Sequence, residues 1–226
     1  MSPIYLRLGR PSTDISVGKS HWWGYPDLPL DVDIPTTTDA DGSEYALDFI
    51  CQINLADLHD YLVETAADTG DRSVLDCPLP QSGLLLFFAD IAYYRGNWDE
   101  PAISMHYSDT DVVKAIYIPE DDMAALVSCE DVYADDALPA QPIDFARERG
   151  DFSQPDHRLL GPADYREWED WDAPFCGWEV LLQMDSCEDE VCNINFVDCG
   201  VLDLIISPDD LARHDFSNVR AIILST

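Results

Sequence analysis

Lysine is nearly absent from this sequence, with Lys19 and Lys114 as its two representatives. All basic residues together number 12 against 45 acidic residues, which gives a formal net charge of −33 at pH 7. So few cations argue against unassisted binding to nucleic acid or to anionic membranes, because both need a basic surface. The sequence therefore predicts no direct contact with nucleic acid and no membrane partner.

Long apolar runs are also missing. No segment reaches the roughly 18 consecutive apolar residues of a membrane-spanning helix. Residues 1–9 contain no apolar core like that of a secretion signal. The seven cysteines form no compact framework spacing. We therefore expect a soluble, cytoplasmic protein with reduced thiols.

Known catalytic and metal-binding motifs are absent as well. The sequence contains no Gly-x-Ser-x-Gly turn, no glycine-rich phosphate loop and no His-Glu-x-x-His helix. Cys187, Cys192 and Cys199 lack the paired spacing of a structural zinc site, and the acidic stretch after Asp185 lacks the glycine of a calcium loop. The sequence predicts no cofactor and no metal, and it favours a non-enzymatic role over an enzymatic one.

What the sequence does contain is a series of apolar runs of strand length. Its composition is 46% hydrophobic and 11% aromatic, which is typical of a folded domain. Runs at 47–55, 84–89, 102–107 and 179–185 are bounded by polar or turn residues, as buried strands are. Helices are predicted at 56–67, where Asn54 is placed to cap the first turn, and in the acidic segment 119–127.

Two pairs of these runs resemble each other. Gln183-Met-Asp185 echoes Gln52-Ile-Asn54, and Gly200-Val-Leu echoes Gly83-Leu-Leu. We interpret the chain as a single domain over residues 1–226 that consists of two related halves packed together, roughly 1–140 and 157–226. The predicted fold class is α+β, with mainly antiparallel sheets and a few short helices.

These segments resemble those of the bacterial YwqG-like proteins, a family without an established function. Each motif is weak alone, but the ordered set is fairly specific. The matching motifs are Gly24-Tyr-Pro-Asp-Leu-Pro29, Phe49-Ile-Cys-Gln-Ile-Asn-Leu55, Leu79-Pro-Gln-Ser-Gly83, His157-Arg-Leu-Leu-Gly161, Leu181-Leu-Gln-Met-Asp-Ser186, Asp198-Cys-Gly200 and Pro208-Asp-Asp-Leu211. The resemblance implies a mixed α+β fold of two related halves, and it supplies no catalytic residue.

Gln52 and Gln183 are the most informative polar residues of the predicted strands. An amide inside an apolar strand is costly unless it is hydrogen-bonded, so each must find partners in the fold. Either the two amides pin equivalent loops, or they lie on one wall of a cleft between the halves with Asp185, His157 and Arg158 nearby. Both interpretations stay open.

The aromatic loop that contains Trp22, Trp23 and Tyr25 has two interpretations of the same kind. Its prolines and glycine exclude a regular helix. The aromatic rings either close one end of the core or line a groove for a ligand or partner.

The acidity favours a binding function. We expect an interaction protein, for example an immunity- or antitoxin-type inhibitor that covers a basic toxin or another cationic protein. The predicted contact surface comprises the acidic clusters 120–122, 130–136 and 167–172, with Trp168 and Trp171 as aromatic anchors. Two alternatives remain: the acidity is an adaptation to salt, or the cleft between the halves binds a small ligand or metal, with or without enzymatic activity.

Overall fold

The computed structural model of the chain describes residues 2–38, 41–133, 137–151, 155–162, 177–188 and 191–225. Its described part is mostly antiparallel sheet with a few short helices, so the predicted α+β class is confirmed. The strands are β1 (Ile4–Leu8), β2 (His21–Trp22), β3 (Asp27–Pro29), β4 (Thr36–Thr38), β5 (Glu44–Ala46), β6 (Asp48–Asn54), β7 (Leu84–Ala89), β8 (Val113–Ile118), β9 (Leu126–Ser128), β10 (Gln141–Ala146), β11 (Arg158–Leu159), β12 (Glu179–Asp185), β13 (Cys187–Glu188), β14 (Asn193–Ile194), β15 (Val201–Ile206) and β16 (Arg220–Leu224). The helices are α1 (Leu55–Thr69), α2 (Glu130–Tyr133) and α3 (Pro208–Ala212), with 3-10 turns at Arg72–Leu75, Tyr93–Arg95 and Glu120–Ala125.

Ten strands form one sheet in the order β16-β15-β12-β11-β1-β10-β2-β6-β7-β8. The two edge strands approach each other, and the segment 104–108 lies along the free edge of β16. Ser108 N donates to Ala221 O at 2.9 Å, and Ile223 N donates to Ser104 O at 3.0 Å. The prediction of a regular strand at 102–107 is wrong, but the segment hydrogen-bonds to the edge strand β16.

The main core lies on one face of this sheet and includes buried apolar residues from all ten strands. Two smaller clusters lie on the opposite face. One packs β6, β7 and β8 beneath the ribbon formed by β3 and β9. The other packs β12, β15 and β16 against Met105, Tyr107 and Trp178. Because strands at both ends of the sheet are covered on both faces, their sequences are almost continuously apolar.

Helix α1 begins as predicted. Asn54 Oδ1 accepts a hydrogen bond from Asp57 N at 3.0 Å, which satisfies one of the free amides of the first turn. Leu58 and Leu62, one turn apart, are buried in the main core together with Leu55.

The predicted helix at 119–127 is only partly present. The 3-10 turn Glu120–Ala125 is followed directly by β9, whose residues pair with β3 in antiparallel register. Leu126 lies opposite Pro29 and packs with Leu28 in the cluster beneath the ribbon. Pairing with a strand far away in the sequence therefore ends the helical turn.

Cys187 and Cys192 form a disulfide, and both residues are buried. The expectation of reduced thiols is therefore wrong for this pair. No described helix is both long enough and apolar enough to cross a membrane.

Candidate functional site

Gln52 forms the centre of a buried polar cluster where β2, β3 and β6 meet. It lies opposite His21 in the sheet, and its side chain is inaccessible to solvent. Its Oε1 accepts from Asp27 N at 2.9 Å, and its Nε2 donates to Lys19 O at 3.0 Å and to Asp27 Oδ2 at 2.6 Å. The amide thus links β6 to the chain on both sides of the aromatic loop.

Asp27 is the charged member of this cluster and is only 3% exposed. Its Oδ2 accepts from Gly18 N at 2.7 Å as well as from Gln52. No residue in the described part of the chain donates a hydrogen bond to its Oδ1. One carboxylate oxygen is therefore fixed by the fold, and the other is free to contact a ligand.

His21 lies beside Asp27 and is 4% exposed. Its Nδ1 is 2.6 Å from the carbonyl oxygen of Trp23. A carbonyl oxygen accepts but cannot donate, so Nδ1 carries a proton and Nε2 of the neutral ring is an acceptor. Burial lowers the pKa of this imidazole, while the bond to Trp23 O and the charge of Asp27 act in the opposite direction.

A cavity of about 450 Å³ borders both residues. We call it the Asp27 cavity. Its wall also includes Tyr25, Ser128 and Glu130, and none of its described lining residues is Lys or Arg. The cavity therefore presents acceptors and negative charge, which suits a cationic ligand.

Gln183 occupies a second buried polar cluster, where β11 meets β12. Its Oε1 accepts from Arg158 Nη2 at 2.7 Å, and its Nε2 donates to Asp156 O at 3.0 Å. Asp203 of β15 lies opposite it on the other side and is fully buried. Here too the amide links its strand, β12, to the residues that lead into the neighbouring strand, β11.

Asp185 and His157 complete this second cluster. Asp185 Oδ2 accepts from Asp156 N at 2.9 Å, and Asp185 N donates to Nδ1 of His157 at 3.1 Å. The His157 ring stacks on Trp22 with a centroid separation of 4.3 Å. The structure therefore brings together four of the five residues that the sequence grouped, Gln183, Asp185, His157 and Arg158.

The remaining predicted site residues lie elsewhere. Gln52 belongs to the first cluster, and β11, β1, β10 and β2 separate its strand from that of Gln183. Trp168 and Trp171 lie outside the described residues. Sequence reasoning missed Asp27 and His21. The available signal was a single acid between Pro26 and Leu28 in an apolar, aromatic segment.

A family model matches most of the chain. The sequence profile of DUF1963, described as a domain of unknown function, matches residues 20–223. The chain belongs to this family. None of the curated proteins matches it. The polar side chains of both clusters lie within the matched residues, and the family description names no activity.

The aromatic rings of the loop in this DUF1963 chain divide between the core and the Asp27 cavity. Trp22 and Trp23 are buried in the main core, where their rings meet edge to face at 5.9 Å. Tyr25 is partly exposed and lines the Asp27 cavity. The Trp rings therefore close the core, and the Tyr ring is accessible to a ligand.

His21 is expected to make this DUF1963 domain less stable at mildly acidic pH. The ordinary pKa of the imidazole is 6.5, and the folded state lowers it. As the pH falls through about 6.5, the unfolded chain takes up a proton that the folded chain resists, so stability is lost down to the folded pKa. We expect the free energy of unfolding in urea to fall more between pH 7.5 and 5.5 for the natural protein than for His21→Asn. Equal losses in the two proteins would contradict the assignment, since all other titrating groups are common to both.

Proposed function

We propose that this protein is a non-enzymatic binding protein for a basic protein, such as a toxin that it inhibits. The observation that carries the proposal is that most of the few described cations are already paired within the chain. Six of the described basic side chains pair with acids of the same chain: Lys19 with Asp57, Arg95 with Asp48, Arg147 with Asp71, Arg149 with Asp156, Arg213 with Asp210 and Arg220 with Asp109. The remaining acids greatly outnumber the cations that could neutralise them.

Many of these acids lie around the β3–β9 ribbon. The 3-10 turn Glu120–Ala125 contacts β3, and α2 begins two residues after β9. We define the acidic ribbon face by its exposed acids Asp31, Asp33, Glu120, Asp121, Asp122, Glu130 and Asp131. None of these seven forms an ion pair within the described part of the chain. The face includes the predicted acidic cluster 120–122 and the described part of the predicted cluster 130–136.

Apolar side chains are exposed among these acids. Leu30, directly after β3, is 88% exposed, and Val127 and Val132 are also exposed. Apolar residues surrounded by polar ones are typical of protein interfaces, where burial provides affinity and complementary charge speeds association. A basic partner with a small apolar contact surface would match this face in both respects.

Neutralising the acidic ribbon face is expected to release the partner. The test is capture from the cells that make the protein, at low and at high salt, with the tagged natural chain and with the combined variant Asp121→Asn, Asp122→Asn and Asp131→Asn. A basic protein should be retained in stoichiometric amount by the natural chain at low salt and lost at high salt. The variant should bind the purified partner at least about tenfold more weakly.

A control variant removes the same charge elsewhere. Asp60, Glu64 and Asp68 are exposed acids one turn apart on α1, away from the ribbon, and their amide variants should keep the partner. Equal retention by the ribbon variant and the natural chain would refute the proposed face. Absence of any retained basic protein at low salt would refute the proposed function.

We also infer that the two halves are related, as predicted from the sequence. Two matching features support this. Gln52 pairs with His21 and donates to the carbonyl oxygen of Lys19, two residues earlier. Gln183 likewise pairs with Arg158 and donates to the carbonyl oxygen of Asp156, two residues earlier. Each also follows a register irregularity by two residues, between Phe49 and Cys51 in β6 and between Val180 and Leu182 in β12. The finer assignment to YwqG-like proteins and the cytoplasmic location stay predictions.

A further inference from the structure

The Asp27 cavity adjoins the acidic ribbon face, because Ser128 of β9 and Glu130 of α2 belong to its wall. We propose that it is an arginine-binding site, which receives the guanidinium group of a residue that the basic partner inserts. This proposal rests on the proposed function for the origin of the arginine. The site itself is argued from the residues that line it.

The first step concerns Asp27, whose carboxylate is held in place by the fold. Gly18 N and Gln52 Nε2 both donate to Oδ2, at 2.7 and 2.6 Å. No described donor reaches Oδ1, although Asp27 is only 3% exposed. A buried carboxylate gains most from a charge-assisted hydrogen bond, and a guanidinium supplies one with little loss of hydration.

The second step concerns His21, which provides an oriented neutral acceptor. Because Nδ1 donates to Trp23 O, Nε2 accepts, and no described residue is bonded to it. Asp27 and His21 thus offer two acceptors in fixed positions. The planar fork of a guanidinium carries several N–H donors for such acceptors, whereas the ammonium of lysine is a single point of charge.

The third step concerns the remaining wall. Glu130 is an exposed carboxylate at the rim, and it extends the negative potential from the ribbon face into the cavity. The ring of Tyr25 also lines the cavity, and aromatic faces attract guanidinium groups. The volume of about 450 Å³ lies within the usual range of ligand pockets, roughly 300–1,000 Å³.

A metal ion fits these residues less well. No group of three or more His, Cys, Asp or Glu side chains in the described part of the chain is arranged to hold one. Of the lining residues that could ligate a metal, Asp27 and His21 are buried and Glu130 is exposed. The pattern of acceptors therefore favours an organic cation.

The test uses small probes and needs no partner. N-acetyl-arginine amide, N-acetyl-lysine amide and N-acetyl-citrulline amide are titrated into the protein while the imidazole nitrogens are followed by NMR, with His21 assigned from the His21→Asn variant. We expect a saturable shift of the His21 Nε2 signal with the arginine probe, at millimolar affinity as is usual for so small a ligand. The citrulline probe, which has the shape without the charge, should give none, and the lysine probe should bind at least about fivefold more weakly.

Two variants locate the site. Asp27→Asn should abolish the arginine-dependent shift, and its thermal unfolding shows whether the fold is kept. Glu130→Gln, which changes an exposed residue with no bond in the described structure, should weaken the arginine probe about threefold and leave folding unchanged. The proposal is overturned if the arginine probe gives no response or if citrulline or lysine gives an equal one. It is also overturned if the response is unchanged in Glu130→Gln and in folded Asp27→Asn.

The two proposals can fail separately. If the ribbon variant releases a partner but the arginine probe gives no shift, the cavity is not an arginine site and the binding function stands. If the probe binds but no basic partner is captured, the cavity binds a free guanidinium compound instead, and the proposed function is refuted.

Discussion

Gln52→Glu is expected to lower the free energy of unfolding by about 3–5 kcal/mol, the range found when a buried charge loses its partner. In the natural protein Nε2 of Gln52 lies 2.6 Å from Asp27 Oδ2, and neither residue is appreciably exposed. The substitution replaces that donor with a carboxylate oxygen. Two carboxylates so close together cannot both be charged, so one must hold a proton at neutral pH.

The pH dependence of this loss has a definite sign. The shared proton raises the folded-state pKa of the carboxyl pair above its unfolded value, so the folded state binds a proton more tightly than the unfolded state. Stability is therefore regained as the pH falls and lost as it rises. Urea denaturation of the variant and the natural protein should show a larger difference at pH 8 than at pH 5.5.

Gln183→Glu is the matched control, since it makes the same chemical change in the second cluster. There Oε1 accepts from Arg158 Nη2 at 2.7 Å, so a negative charge is attracted to a guanidinium. The other new oxygen faces Asp156 O, which Nε2 now contacts at 3.0 Å. We expect a net loss of about 1–2 kcal/mol, the cost of one unsatisfied buried group. Equal losses for the two variants would show that Asp27 and Arg158 do not set the local electrostatics.

Local features of the sequence were sufficient to predict much of the fold. The runs that form β6, β7, β12 and β15 are apolar because both faces of these strands are buried. Helix α1 has a cap and an apolar stripe within its own residues. Features of this kind need no knowledge of distant contacts, so the α+β class and these elements could be predicted.

The errors occur where a distant partner decides the structure. β9 forms because β3 offers a free edge, and the segment 104–108 hydrogen-bonds to the edge of β16 without forming a regular strand. The Cys187–Cys192 disulfide depends on the short β13–β14 hairpin that brings the two cysteines together. Neither an available edge nor a hairpin register is written in the local pattern of residues.

The candidate site shows the same limit. Arg158 lies beside Gln183 because β11 pairs with β12 in that register. The motifs that contain them, 157–161 and 181–186, follow one another in the series of motifs found in the sequence. Gln52, by contrast, meets Asp27 because the aromatic loop leads directly into β3, whose first residue is Asp27. The need for a partner of Gln52 could be predicted from burial alone, but its identity could not. Trp168 and Trp171 lie outside the described residues and stay predictions.

Gly200→Ala is expected to lower the free energy of unfolding by about 3 kcal/mol, the upper end of the usual cost of overpacking. A Cβ atom at Gly200 would lie 2.2 Å from Phe196 O and 2.3 Å from Leu224 O. Both are backbone atoms, and neither can rotate away. The isolated bridge between Phe196 and Gly200 and the pairing of Val201 with Leu224 hold them in place.

Gly83→Ala is expected to cost at least as much, because two effects combine. A Cβ atom there would lie 2.4 Å from Ile118 O, and Gly83 has a φ of +91°, which disfavours any other residue. Leu84 pairs with Ile118 as Val201 pairs with Leu224, so each glycine precedes its strand where the neighbouring strand ends. The same close approach thus occurs at both ends of the sheet.

Two further glycines separate the effects in the same urea experiment. A Cβ atom at Gly150 or Gly96 would meet no described atom within 4 Å, and Gly96 alone of the two has a positive φ, +103°. Gly150→Ala should change the free energy of unfolding by less than about 0.5 kcal/mol, and Gly96→Ala should cost about 1–2 kcal/mol. If Gly200→Ala matches Gly150→Ala, the predicted clash is wrong. If Gly83 and Gly200 exceed their controls by similar amounts, the two ends of the sheet have the same strand packing, as related halves require.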